Sequence, residues 1–251
     1  MKIARFKYKN KIYYGKVEDN AVYIITGPVF EKFHTTDKRV SISDVDILSP
    51  VAPSKIICVG LNYKDHAKEL NMPIPQQPII FLKPPTSATG HNRKIIYPKG
   101  VTRLDYEAEL AIVIKRKARN IDKKSAKDYI LGYTCLNDVT ARDLQQKDVQ
   151  WTRAKSFDTF CPLGPYIETR IDPENLAIRL YLNGELKQSS TTGNLIFKIY
   201  ELVSFISKVM TLEPSDIIAT GTPPGVGPME IGDVVEVDIE GIGRLRNVVG
   251  Q

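Results

Sequence analysis

Cysteine is scarce. Cys58, Cys135 and Cys161 are the only three in 251 residues, far apart and with no Cys-x-x-Cys pair. That spacing excludes a disulfide framework and the usual zinc sites, so each reads as a small buried hydrophobe. Histidine is equally sparse, with only His34, His66 and His91, and imidazole chemistry has few candidates. No apolar run approaches the length of a membrane span. The first seven residues, Met-Lys-Ile-Ala-Arg-Phe-Lys, lack the apolar centre of a signal peptide. A cytoplasmic protein without a membrane partner is expected. No repeats or low-complexity tracts occur. The Gly- and Pro-rich stretch 220–228 lacks the Gly-Lys-Ser/Thr ending of a phosphate loop, and no helix pattern follows it. It reads as a rigid loop.

With 42% hydrophobic and 25% charged residues, the chain has an ordinary globular composition. A formal net charge of +6 suits a solvated surface and draws in anionic substrates. Lys115, Arg116, Lys117 and Arg119, with Lys123 and Lys124, form the densest basic run. It follows an apolar strand pattern, leads into a helix pattern, and has no interleaved aromatics for base stacking. It reads as a solvated connection, and no nucleic-acid partner is expected.

The most informative segment is Asp105-Tyr106-Glu107-Ala108-Glu109-Leu110, at the head of an apolar run over 108–114. Such a run predicts a buried strand. Side chains two apart on a strand share a face, so Glu107 and Glu109 belong side by side. Like charges that close repel strongly unless offset. A hard divalent cation is the usual offset for carboxylate oxygens. A solvated outer face is the alternative reading of the pair alone. A third carboxylate, Asp138, ends a short apolar strand over 133–136. It is either a further ligand or the N-cap of the turn beginning at Thr140. The segment before it predicts a helix from an Asp122 N-cap to a Gly132 C′ residue. Lys155, within the compact stretch 151–158, is either solvated or paired with the acidic cluster or an anionic substrate.

Residues 65–70 predict a short helix closed by Asn71 and Pro73. His66 and Glu69, three apart, share one of its faces. The carboxylate can then fix the imidazole tautomer and raise its basicity, as a neutral-pH general base requires. An incidental solvated pair is the alternative. Gly60 and the Pro-rich stretch 73–85 bound the segment as hinges bound a lid. Elsewhere strands dominate, predicted at 3–8, 12–17, 21–25, 55–59, 79–82, 176–182, 217–219 and 234–239. Asn183-Gly184 is a hairpin signal. One helix is predicted over 195–210, with Leu195, Ile199, Leu202, Val203 and Ile206 on its core face.

Taken in order, several stretches resemble the fumarylacetoacetate hydrolase family, and especially its acylpyruvase and hydroxyheptadienedioate isomerase-like branch. They are Gly60-Leu61-Asn62-Tyr63-Lys64-Asp65-His66, Phe81-Leu82-Lys83-Pro84, the Asp105–Leu110 segment, Asn137-Asp138-Val139-Thr140-Ala141-Arg142-Asp143, Ala154-Lys155-Ser156-Phe157-Asp158, Asn183-Gly184-Glu185 and the 220–228 loop. The resemblance implies a mixed, β-rich α/β fold built around a β-roll. It divides the chain into a small N-terminal β module over 1–50, closed by Pro50 and Pro53, and a catalytic domain over 51–251. A homodimer is implied as well. It assigns Glu107, Glu109 and Asp138 to one divalent ion, Mg²⁺, Mn²⁺ or Ca²⁺. Lys155 falls beside the ion. Arg142, Gln145 and Thr222 fall on the substrate. His66 and Glu69 fall on a lid that activates water or moves a proton. Leu61 departs from the pattern, since many acylpyruvase-like relatives carry arginine there, and the chemistry class transfers while the particular substrate does not.

The expected activity is a metal-dependent reaction of a 2-oxo acid or its enol through an enolate. Hydrolysis of a C–C bond in a β-diketo acid, decarboxylation and enol–keto isomerisation of aromatic-catabolism intermediates all share that enolate. Two alternatives stand beside it. One is a dehydratase or lyase acting on 2-oxo-3-deoxy sugar acids. The other is a non-catalytic dimeric binding or scaffold protein of the same fold.

Overall fold

The computed structural model describes residues 1–251. Its largest sheet runs, in spatial order, through His34–Ser41, Ala21–Thr26, Lys11–Glu18, Lys2–Tyr8, Cys161–Glu168, Ile130–Asn137, Ala108–Ile114, Ile217–Ala219, Ile56–Val59 and Ile80–Lys83. A five-stranded sheet packs against it, with the order Glu185–Thr191, Ala177–Leu182, Val234–Ile239, Gly243–Gly250 and Lys94–Ile96. A small third sheet joins Thr140–Ala141, Leu104–Tyr106 and Gly227–Met229. The architecture is the β-rich one expected. The first fifty residues are hydrogen-bonded into the large sheet, through Lys2 opposite Glu168 and Ile3 opposite Ile167.

The central strand, Ala108–Ile114, shows how period-two alternation builds two cores at once. Leu110, Ile112 and Ile114 enter the larger core, together with Leu180, Val237 and the helix Ile199–Val209. Ala111 and Val113 enter a second core, with Ile3, Ile56, Ile167 and Ile217. A strand covered on both faces has no polar positions to spare, which explains its unbroken apolar run. Glu109 continues the face of Ala111 and Val113 to the edge of the second core.

Several boundaries differ from expectation. Glu107 is not within one continuous strand. The chain leaves the small sheet at Tyr106 and enters the large one at Ala108, so Glu107 lies at the seam between them. The helix expected from Asp122 to Gly132 is a 3-10 segment, Lys123–Tyr129, and Gly132 belongs to the strand Ile130–Asn137. A side chain at Gly132 would meet the Glu168 carbonyl at 2.4 Å, so glycine serves close strand approach there. The helix expected over 195–210 starts at Ile199. Leu195 is buried but sits in the turn ahead of it, where its amide donates to Thr192 O. The strand Cys161–Glu168 was missed, because Pro162 and Pro165 argue against a central strand.

Candidate metal and substrate site

Three elements converge at the seam. The Glu107 amide donates to Asn137 Oδ1 (2.9 Å), and the Asp138 amide donates to the Glu107 carbonyl (2.8 Å). These two bonds hold the end of the Ile130–Asn137 strand against the start of the Ala108–Ile114 strand. The carboxylates of Glu107, Glu109 and Asp138 are buried and each offers an oxygen within 4.8 Å of the others. Asp138 is not a helix cap. Ala141 precedes the helix Arg142–Lys147, and the Asp138 side chain is engaged by two lysines.

Those lysines set the electrostatics. Lys155, only 2% exposed, donates to Glu107 Oε2 (2.9 Å) and Asp138 Oδ2 (2.7 Å). Lys83 donates to Asp138 Oδ1 and to the Val139 carbonyl. Arg142 spans Glu107 Oε1 (2.5 Å) and Asp105 Oδ2 (2.9 Å) and also reaches Gln145 Oε1. Thr140 Oγ1 adds a bond to Glu107 Oε1 (3.0 Å). Burial alone would raise the Glu107 carboxyl, but Lys155 and Arg142 outweigh it and hold it at about 2. Burial would likewise strip the proton from Lys155, yet Asp138 and Glu107 reverse the direction and keep it charged.

Glu109 is different. No lysine or arginine lies within ion-pair distance, and its one hydrogen bond comes from the Gly221 amide (2.7 Å). Burial first, and then the charges of Asp138 and Glu107, push its carboxyl well above the ordinary range. Gly221 can aim that amide because it adopts φ +95°, and a Cβ there would meet Asn62 Cβ at 2.8 Å. Asn62 in turn bridges Thr220 O (2.7 Å) and the Phe197 amide (2.8 Å), which fixes the loop. Three clustered acidic side chains, one of them lacking a counter-charge, fit a hard divalent cation with oxygen ligands.

The same triad lines a cavity of about 230 Å³. Its polar lining also includes Arg142, Gln145, Lys155, Thr222 and His66, and Leu61, Leu70, Met72, Phe81 and Trp151 contribute an apolar wall. The helix Lys64–Glu69 stands over it. His66 Nδ1 and Glu69 Oε2 are 2.7 Å apart, and Glu69 Oε1 accepts from the Gly225 amide (3.0 Å). Asp65 anchors the start of that helix, accepting from Ser190 Oγ (2.5 Å) and Asn194 Nδ2 (3.1 Å). All nine residues singled out in the sequence therefore gather here; Glu69 reaches the cavity only through His66. Sequence reasoning missed the parts played by Lys83, Asp105, Asn137, Gln188 and the Gly221 amide. A lysine directly after the apolar run 79–82 was a readable signal that Lys83 is buried. Gln188 gave none, because its strand reads as solvated.

Residues 55–250 match the family model described as fumarylacetoacetate (FAA) hydrolase C-terminal, and residues 1–50 match one described as Rv2993c-like, N-terminal. The mitochondrial oxaloacetate tautomerase fahd2 of Xenopus laevis is 45% identical, over 84% of this chain and 70% of its own. The crystal structure of 2-hydroxyhepta-2,4-diene-1,7-dioate isomerase from Mycobacterium marinum superposes with a TM-score of 0.94 at 42% identity, covering 100% of this chain and 98% of that one. Maleylpyruvate hydrolase from Sphingobium sp. SYK-6, in complex with manganese(II) ion and pyruvate, superposes with a TM-score of 0.83 at 30% identity, over the whole of both chains. The β-rich fold and the acidic cavity thus define an enzyme family whose members include hydrolases, isomerases and tautomerases. The chain belongs to the fumarylacetoacetate hydrolase family.

Proposed function

We propose that this protein is a divalent-metal-dependent enzyme acting on 2-oxo acids or their enols through an enolate. Its reaction is hydrolysis of a C–C bond in a β-diketo acid or the related decarboxylation or enol–keto isomerisation. The observation that carries this reading is the convergence of three buried carboxylates on the cavity that also receives the His66–Glu69 pair. Glu107, Glu109 and Asp138 would hold Mg²⁺ or Mn²⁺, which supplies Lewis-acid charge to the oxygens of a bound oxo acid.

The chain's own groups account for the rest. Arg142, Gln145 and Thr222 offer donors for a substrate carboxylate at the polar end of the cavity. Lys155 adds fixed positive charge where negative charge develops on the substrate oxygen. Glu69 holds Nδ1 of His66, which leaves Nε2 to take a proton from a water or from the substrate carbon. A proton taken from carbon gives tautomerisation, and one taken from water gives the hydroxide that attacks the distal carbonyl in hydrolysis. This is why one site serves several reactions within a family. The relatives named as an oxaloacetate tautomerase, a diene-dioate isomerase and a maleylpyruvate hydrolase support that reading.

A homodimer is part of the proposal. The strand Ile80–Lys83 ends the large sheet, and Ile79, Leu82 and Val149 expose apolar surface beside it. Light scattering should give twice the chain mass. The functional test is turnover of oxaloacetate, acylpyruvates and a hydroxyheptadienedioate-type compound, each with Mg²⁺ or Mn²⁺ and after chelation. Ion-dependent turnover of at least one is expected. Failure to turn over any of them with either ion overturns the reading.

A further inference from the structure

One fully buried polar side chain contacts both halves of the site and plays no part in the chemistry above. Gln188 is 0% exposed and lies on the strand Glu185–Thr191 of the five-stranded sheet. Its Oε1 accepts from the amide of Ala108 (2.9 Å), the residue between Glu107 and Glu109. Its Nε2 donates to Thr222 Oγ1 (2.9 Å) and to the Pro223 carbonyl (2.8 Å). Both donors and the oxygen are therefore engaged.

The position has a structural reason. On one side Ala108 lies opposite Asn137, but on the other the strand Ile217–Ala219 pairs only as far as Ala111. No strand supplies an acceptor for the Ala108 amide, and Gln188 supplies it from another sheet. A buried amide nitrogen without a partner is costly. A carboxylate could fill the same space as an acceptor, but it would add a further negative charge beside Glu107 and Glu109 and could not donate to Thr222. A neutral carboxamide satisfies both partners. It fixes the spacing of the two glutamates relative to the hydroxyl on the opposite wall.

We propose that Gln188 is a positioning residue that couples the Glu107–Glu109 corner to Thr222, so that one side chain sets both cation affinity and 2-oxo acid binding. The proposal rests on the metal-dependent reading above. Outer hydrogen-bond partners of metal ligands commonly change affinity by ~10- to 100-fold when removed.

The test is calorimetric titration of the intact protein with Mn²⁺, then of the Mn²⁺-loaded protein with oxalate. Gln188→Leu, which cuts all three bonds, should weaken Mn²⁺ by ~10-fold or more and weaken oxalate as well. Gln188→Glu keeps the acceptor for Ala108 but loses the donors, so it should retain Mn²⁺ binding and lose oxalate affinity. In a double-mutant cycle, Gln188→Leu should cost less oxalate affinity on a Thr222→Val background than alone. A folded Gln188→Leu protein with a lowered melting temperature and unchanged Mn²⁺ affinity overturns the proposal and leaves Gln188 a purely structural group. If Gln188→Leu does not fold, Gln188→Glu decides, and unchanged oxalate binding there overturns the coupling. Absence of Mn²⁺ binding by the unaltered protein is a separate result, which removes the metal reading and this proposal together.

Discussion

Two of the buried acidic centres in this molecule are satisfied in opposite ways. Asp216 is 0% exposed, yet its carboxylate accepts from the amides of Ser54 (3.1 Å), Lys55 (3.1 Å) and Glu213 (2.8 Å) and from Ser54 Oγ (2.7 Å), and it pairs with the Lys55 ammonium. Each oxygen has donors, and the group pins the 54–55 corner to the 213–216 turn. The Glu107–Glu109–Asp138 centre is just as deep, but its donors are unevenly shared. Lys83, Lys155 and Arg142 serve Asp138 and Glu107, and Glu109 keeps one backbone amide. Burial of a carboxylate is thus no sign of function by itself. A shortage of donors among clustered carboxylates is the sign, since it leaves a charge that only an incoming group can balance.

The contrast predicts opposite responses to neutralisation. Glu109→Gln should lower ion-dependent turnover by at least ~10²–10³-fold and remove Mn²⁺ binding in a calorimetric titration, while raising the melting temperature of the chelated protein by relieving repulsion with Asp138 and Glu107. Retained turnover and binding in that variant would break the comparison. Asp216→Ala should do the reverse. It strands three amides and the Lys55 charge, costing about 3 kcal/mol in urea unfolding, with turnover at 25 °C unchanged.

A subtler test uses pH on the chelated protein. The Glu109 carboxyl is raised in the fold, so the stability it contributes is full below the unfolded carboxylate range and lost as pH rises through the folded value. Glu107 has the other sign. Held at about 2, it contributes above the unfolded value and fades as pH falls towards 2. Melting curves from pH 4 upward should therefore decline less steeply with pH in Glu109→Gln than in the unaltered protein. Identical slopes would show that Glu109 carries no such penalty. The smallest expected effect concerns Thr134, buried at 0% with an unpartnered hydroxyl. Thr134→Val should stabilise the fold by about 1 kcal/mol or less, and a lower melting temperature would reveal a partner for that hydroxyl.

How much of this could be read from the chain depended on the range of the interaction involved. The strand Ala108–Ile114, the helix carrying His66 and Glu69, and the turn at Asn183-Gly184 (φ 52° and 82°) follow from local periodicity and turn chemistry. The gathering of the nine site residues followed from the ordered motifs of a known family. Gly132 was misread because a glycine after a helix-like pattern looks the same as one chosen for contact with a strand 36 positions away. The partners of Lys83, Asp105 and Gln188 were opaque because they lie at sequence separations of 55, 37 and 80. No local pattern encodes a bond of that range.

The helix Lys64–Glu69 is tied unevenly at its two ends. Asp65 is held by two side chains from the body of the protein, whereas the far end depends on one exposed bond from Glu69 to the Gly225 amide. Because His66 and Glu69 sit on the same short helix, any opening about its Asp65 end would carry both together, and the imidazole would keep its partner and its tautomer.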